Sequence, residues 1–184
     1  MKRLDRAIKS TAIFIILALL ASACAKNSKL FGGGELSGLA CPQVAVLEGP
    51  GELTRFVDGK IGKIADVLFQ ARVEIIGSTC TYEGNSVVVT ADTKLRVIRG
   101  PAETKREVKL TIFVSVIDEK RTVILWEAMP IVVKFQGPNR NFEFENPVSV
   151  QIDLKKGVDL ASYSIYGGFE MTSQELEFNR RRQR

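Results

Sequence analysis

The chain has 184 residues, 45% of them apolar, with 26 Lys and Arg against 21 Asp and Glu and no histidine. Those proportions belong to a globular chain, not to a disordered or membrane-filling one, and the length allows one domain with tails. Absence of histidine excludes Ser-His-Asp and Cys-His nucleophiles, His-ligated zinc or haem, and histidine-based pH switches.

Residues 1–23 read as a processing signal. Lys2, Arg3, Arg6 and Lys9 form a basic start, Ala12 to Ala21 an apolar stretch, and Ala21-Ser22-Ala23 a small-residue site before Cys24. Ten residues rise only about 15 Å as a helix, short of a bilayer core of roughly 30 Å. The segment Leu20-Ala21-Ser22-Ala23-Cys24 resembles the lipobox of bacterial lipoproteins. That resemblance implies a Cys24 carrying diacylglycerol and an amino terminus carrying an acyl chain such as palmitate. Ala21 stands where the lipobox usually has leucine, and Ala21-x-Ala23 also suits ordinary signal peptidase, which would leave a soluble secreted product. Ala25, in place of aspartate, implies outer-membrane delivery by the sorting rule of enteric bacteria.

Removing the signal takes away a net +3, so the +5 chain becomes about +2. Arg180, Arg181, Arg182 and Arg184 exceed that remainder and leave the body near −2. The basic character belongs to the chain ends, so no nucleic-acid partner is expected.

Residues 24–40 comprise Cys24 and a Gly-, Ser- and Lys-rich tether around Gly32-Gly33-Gly34. Sixteen such residues reach roughly 22 Å. No Gly-Lys-Ser/Thr follows the glycines, so a phosphate loop is not indicated.

With Cys24 acylated, Cys41 and Cys80 remain as an even pair in an oxidising compartment. They are expected either as a disulfide, stabilising by roughly 4 kcal/mol, or as two buried free thiols.

From residue 41 the apolar period is two. Val67 to Ile75 alternates with polar residues, Tyr82-Glu83-Gly84-Asn85 turns the chain, and Val87 to Val97 repeats the alternation, predicting a long hairpin. After a polar loop come Val108 to Val116, a turn at Asp118-Glu119-Lys120-Arg121, then Thr122 to Glu127. Pro130 interrupts the following run, Ile131 to Phe135, and marks an edge or bulge. Gly137-Pro138-Asn139 is a further turn. Phe142 and Phe144 alternate with Glu143 and Glu145, then Val148 to Leu154 and Tyr163 to Phe169 complete seven or eight strands. The expected fold of residues 41–171 is all-β, an antiparallel β-sandwich of immunoglobulin-like or related type, or a related barrel. Trp126 does not lie between the two cysteines, so the likeness to immunoglobulin domains is one of architecture alone. Residues 172–184 should hold a short C-terminal helix and an Arg-rich tail, since Thr172-Ser173-Gln174-Glu175 is a capping box flanked by Met171 and Leu176.

Ala40-Cys41-Pro42-Gln43-Val44, the later Cys80, Gly167-Gly168-Phe169-Glu170-Met171-Thr172 and Gln174 to Arg180 together resemble a group of uncharacterised outer-membrane lipoproteins of alphaproteobacteria. The resemblance spans most of the chain after the signal. It implies an envelope location and carries no catalytic or binding residue.

Sites of chemistry are few. No Ser-x-x-Lys occurs. Glu143 and Glu145 lie roughly 7 Å apart at strand spacing, close to a two-carboxylate glycosidase distance, but a solvated strand face opposite Phe142 and Phe144 is the favoured reading. No acidic spacing suits calcium and Cys41/Cys80 is not a redox motif, so no metal or cofactor is expected. Arg180, Arg181, Arg182 and Arg184 either contact an anionic surface or form a solvated end. The expected function is a non-enzymatic lipoprotein on the periplasmic face of the outer membrane, an interaction or scaffold module with an envelope protein partner. The alternative is a binding protein for a small apolar or lipid ligand between the sheets.

Overall fold

The structure, a computed structural model, describes residues 40–182. Its elements are β1 (Gln43–Val46), β2 (Glu52–Phe56), β3 (Val67–Glu83), β4 (Ser86–Arg99), β5 (Glu107–Ile117), β6 (Val123–Lys134), β7 (Asn141–Asp153), β8 (Ser164–Phe169) and α1 (Ser173–Arg182). Two four-stranded sheets, ordered β1-β8-β5-β6 and β2-β3-β4-β7, face one another as a sandwich and do not close into a barrel.

Neighbouring strands run antiparallel as expected, with one correction: β1 lies parallel to β8, Val44 opposite Ile165. Parallel neighbours need a long crossover, and here nearly the whole domain lies between the two strands. A second correction concerns Thr122–Glu127 and Ile131–Phe135, which are parts of one strand, β6, running through Pro130. Proline is tolerated because β6 is an edge. The Phe135 N–H donates to the Arg106 carbonyl at 2.9 Å, so at this end of β6 odd-numbered backbone groups point toward β5. Even-numbered ones, Pro130 included, point away, where a missing N–H breaks no ladder bond.

The β3–β4 hairpin is longer than its apolar alternation because it passes through a bulge. Ile75 pairs with Thr93 and Gly77 with Asp92, which leaves Ile76 unpaired and 56% exposed. Before the bulge, Phe69, Ala71 and Val73 point into the core; beyond it the inward parity changes, and Cys80 and Tyr82 pack against the core. Gly84 turns the hairpin at φ +59°, the conformation asked of the first residue of a two-residue type II′ loop. The inward Cys80 is thereby bridged to Cys41, with Cα atoms 6.0 Å apart.

The core has two halves. One gathers Leu53, Phe69, Val97, Leu110, Val133 and Phe169; the other gathers Val87, Val89, Val116, Ile152, Tyr163 and Ile165. Each draws on both sheets, so the strands of the two sheets run nearly aligned. β1 approaches β3 and β2 approaches β8, covering one side of the sandwich. The other side is left to the edges β6 and β7.

Helix α1 docks through polar residues. Its capping box is complete: Thr172 Oγ1 accepts from the Glu175 N–H at 3.2 Å and Glu175 Oε2 accepts from the Thr172 N–H at 2.8 Å. The buried Glu175 also receives Arg55 Nε at 2.7 Å, and the buried Asn179 amide donates to the carbonyls of Gly49 and Glu52 at 3.1 and 2.5 Å. Phe178 meets Phe56 edge to face, with centroids 5.0 Å apart. Glu175→Ala removes the cap and strands Arg55, whose side chain keeps 32% exposure. A loss of about 2 kcal/mol is expected, read as a lowered urea midpoint, with Glu175→Gln closer to wild type; equal midpoints for Glu175→Ala and wild type would refute this role.

Candidate functional site

The outer faces of the two sheets differ in charge. On the outer face of β4 and β7, Lys94 Nζ lies 3.3 Å from Glu143 and 3.1 Å from Glu145, and Arg96 Nε donates to Glu143 at 2.7 Å. Arg72 of β3 bridges Glu52 of β2 and Glu74 of its own strand. Hydrogen bonds from Arg96 and then Lys94 hold the Glu143 carboxyl below its ordinary range, and hydrogen bonds to Glu145 and Glu143 raise Lys94. A glycosidic acid needs its pKa raised, the opposite direction. Glu143 and Glu145 thus serve as rungs of an exposed ion ladder.

The outer face of β5 and β6 is uncharged over its central length. Residues 108, 110, 114 and 116 of β5 are turned to the core, so Thr111, Phe113, Ser115 and Ile117 face out. Register places Ala128 opposite Phe113 and Trp126 opposite Ser115. Phe113 is buried beneath Trp126, their rings stacked at 4.3 Å. Trp126 remains 54% exposed, Val132 52% and Ile124 43%. Charge returns only toward one end of this face, at Lys109 and at the Glu107–Lys134 pair, 3.8 Å apart. A groove of about 450 Å³ continues from Pro130 and Val132 past Lys109 to Met171 and Thr172.

Family models, curated proteins and solved structures give no match to this chain.

The backbone of β6, unpaired on its outer side among the described residues, completes this surface. N–H and C=O groups of Trp126, Ala128 and Val132 point out of the sheet, and Pro130 supplies a carbonyl alone. An edge of this kind accepts an added strand. Edge β7 is better guarded: its outer face carries Glu143 and Glu145, and the Pro147 carbonyl is taken by Asn146 Nδ2 at 3.1 Å.

Between the core halves lies an apolar cavity reached by Met129 of β6 and Val148 of β7. Its volume is only about 40 Å³, far below the several hundred Å³ of a small-molecule site. Thr93, the one polar side chain of the lining, spends its hydroxyl on the Asn146 carbonyl at 2.6 Å.

Of the residues singled out in the sequence, Cys41 and Cys80 come together. Arg180, Arg181 and Arg182 occupy the exposed last turn of α1, Arg181 paired with Glu177 at 3.6 Å and Arg182 over the Phe178 ring at 5.7 Å. Cys24, Arg184, the signal and nearly all of the tether lie outside the described residues. Sequence reading marks the Pro130-containing run as a candidate edge for an added strand but passes over the apolar outer face of β6, though a signal was present. Val123-Ile124-Leu125-Trp126 and Ile131-Val132-Val133 are apolar at both parities, and an edge strand apolar on both faces leaves one of them to solvent.

Proposed function

We propose that the protein is a non-enzymatic lipoprotein, acylated at Cys24 and held at the periplasmic face of the outer membrane, acting as an interaction or scaffold module in envelope assembly or maintenance. The observation that carries the interaction role is the uncharged outer face of β6, with Trp126, Ile124 and Val132 exposed around a free strand edge. Contiguous exposed apolar surface of this kind marks a contact site. The anchor rests on the basic, apolar and small-residue pattern before Cys24.

Affinity purification from detergent-solubilised native envelopes tests both parts. A partner retained by wild type and lost with Ile124→Asp/Val132→Asp is the expected result, as is its loss with Cys24→Ala. A partner retained equally by the double variant contradicts the role given to β6, and an unacylated Cys24 in the mature protein contradicts the anchor.

The alternative, an apolar ligand between the sheets, draws support from the cavity lining alone. An acyl chain would have to displace Met129 and part the edges to enter. Native mass spectrometry showing a retained lipid would favour that alternative.

A further inference from the structure

Strand parity singles out one residue of β6. Val114, turned to the core, stands opposite Glu127, so Glu127 takes the inner-face parity between Leu125 and Met129, which both pack against the core. It stays exposed, as a position on an edge strand allows. Among the described strand residues Glu127 is the one carboxylate of that parity. Two arginines share the parity through Phe69, and each is accommodated: Arg55 by Glu175, Arg99 by the Phe135 ring. For Glu127 no cation of the described residues lies within ion-pair distance.

We propose, resting on the contact role given to β6, that its edge takes an extended segment of another envelope protein as an added antiparallel strand, and that this segment places a lysine or arginine opposite Glu127.

The backbone sets the register. Trp126 and Ala128 turn their N–H and C=O groups outward, Pro130 offers a carbonyl alone, and a register shift at Ile124 interrupts the strand at its other end. The available ladder is therefore short and has Glu127 at its centre. Directly opposed residues of antiparallel strands share one face. Partner residues opposite Trp126 and Ala128 thus join the uncharged outer face, while the residue opposite Glu127 joins the inner row beside Leu125 and Met129. An apolar or acidic residue there would take the carboxylate from water with no counter-charge, at a cost. A lysine or arginine would instead complete a cross-strand ion pair.

The same carboxylate argues against a second copy of β6 as the occupant. Outward backbone groups belong to even-numbered residues, so antiparallel self-pairing sets even against even and odd against odd. With Trp126 opposite Trp126, Ala128, Pro130 or Val132 of a second copy, Glu127 meets Leu125, another Glu127, Met129 or Ile131 respectively. None of these is basic. Inward charges guard edge strands against indiscriminate pairing in this way, and a segment with the matching cation is the one selected.

Trp126 is the chain's single tryptophan, so its fluorescence reports contact at β6 directly. The test titrates the full chain in neutral detergent with the capped peptide Ser-Gly-Val-Leu-Val-Lys-Val-Gly-Ser and with counterparts carrying glutamate or norleucine in place of lysine. A saturable blue shift is expected with the lysine peptide, about tenfold tighter than with either counterpart. Glu127→Lys, a change at an exposed position, should keep the wild-type urea midpoint and reverse the preference between lysine and glutamate. N-methylation of the two valines flanking the lysine removes the N–H groups owed to the Trp126 and Ala128 carbonyls, and should abolish the shift. Equal affinity for the lysine and glutamate peptides, or a preference left unchanged by Glu127→Lys, would overturn the assignment of a basic residue. Equal binding of the N-methylated peptide would overturn strand addition. No response to any peptide, with photocrosslinks to an envelope protein still forming at Ile124 and Val132, would overturn this occupant and leave the contact role of β6 standing; absence of both would overturn both.

Discussion

Replacing Cys41 and Cys80 together by serine is expected to lower the unfolding free energy by about 4 kcal/mol, the chain-entropy value for a loop of this length. The cysteines are 39 residues apart, so the bridge removes a large share of the freedom of the unfolded chain. Locally, β1 is only four residues long and is paired on one side. Without the bridge it should fray first, with amide protection falling at Ala45 and Leu47, whose N–H groups face β8, before the β3–β4 hairpin is affected. Urea titration with unchanged slope and a lowered midpoint is the expected readout, and an unchanged midpoint would contradict the structural role of the bridge.

Gly100→Ala is the other substitution with a large expected effect. A Cβ at this position would stand 2.0 Å from the Val67 carbonyl oxygen and 2.6 Å from its carbon. Neither is the end of a flexible side chain. That approach is made by the backbone itself, since the Gly100 N–H donates to Leu68 at 2.7 Å and the Ala102 N–H to Val67 at 3.0 Å. Relief would separate the start of β3 from the end of β4. A cost of about 3 kcal/mol is expected, which for a domain of this size lowers Tm by roughly 9 °C. Gly59→Ala is the comparison: nothing lies within 4 Å of its Cβ, but φ is +72°, so only about 1 kcal/mol of backbone strain is expected. Equal melting temperatures for the two variants would refute the close-approach argument.

Fold class was legible because the long strands alternate cleanly. Val87 to Val97 places nearly every second residue toward the core, and Phe142, Val150, Ile152 and Leu154 keep the same alternation, although Phe144 between them stays 48% exposed. Strands β1 and β2 were not legible, being four and five residues long and set by tertiary pairing more than by pattern. The parallel β1–β8 pairing was hidden for the same reason. Helix α1 was announced by its capping box, yet the residues it buries, Glu175 and Asn179, are polar, and an apolar stripe does not reveal such docking. On the β6 face, the two-sided apolar runs announced exposure once the strand was known to be an edge.

Site-specific photocrosslinking in intact envelopes tests the central claim most directly. A photoreactive residue is placed at Ile124 or Val132 on the outer face of β6, and for comparison at Ser149 on the charged face of β7. The interaction role predicts one discrete product from positions 124 and 132, absent from 149 and abolished by Trp126→Asp. Equal products from all three positions, or none from β6, would contradict it.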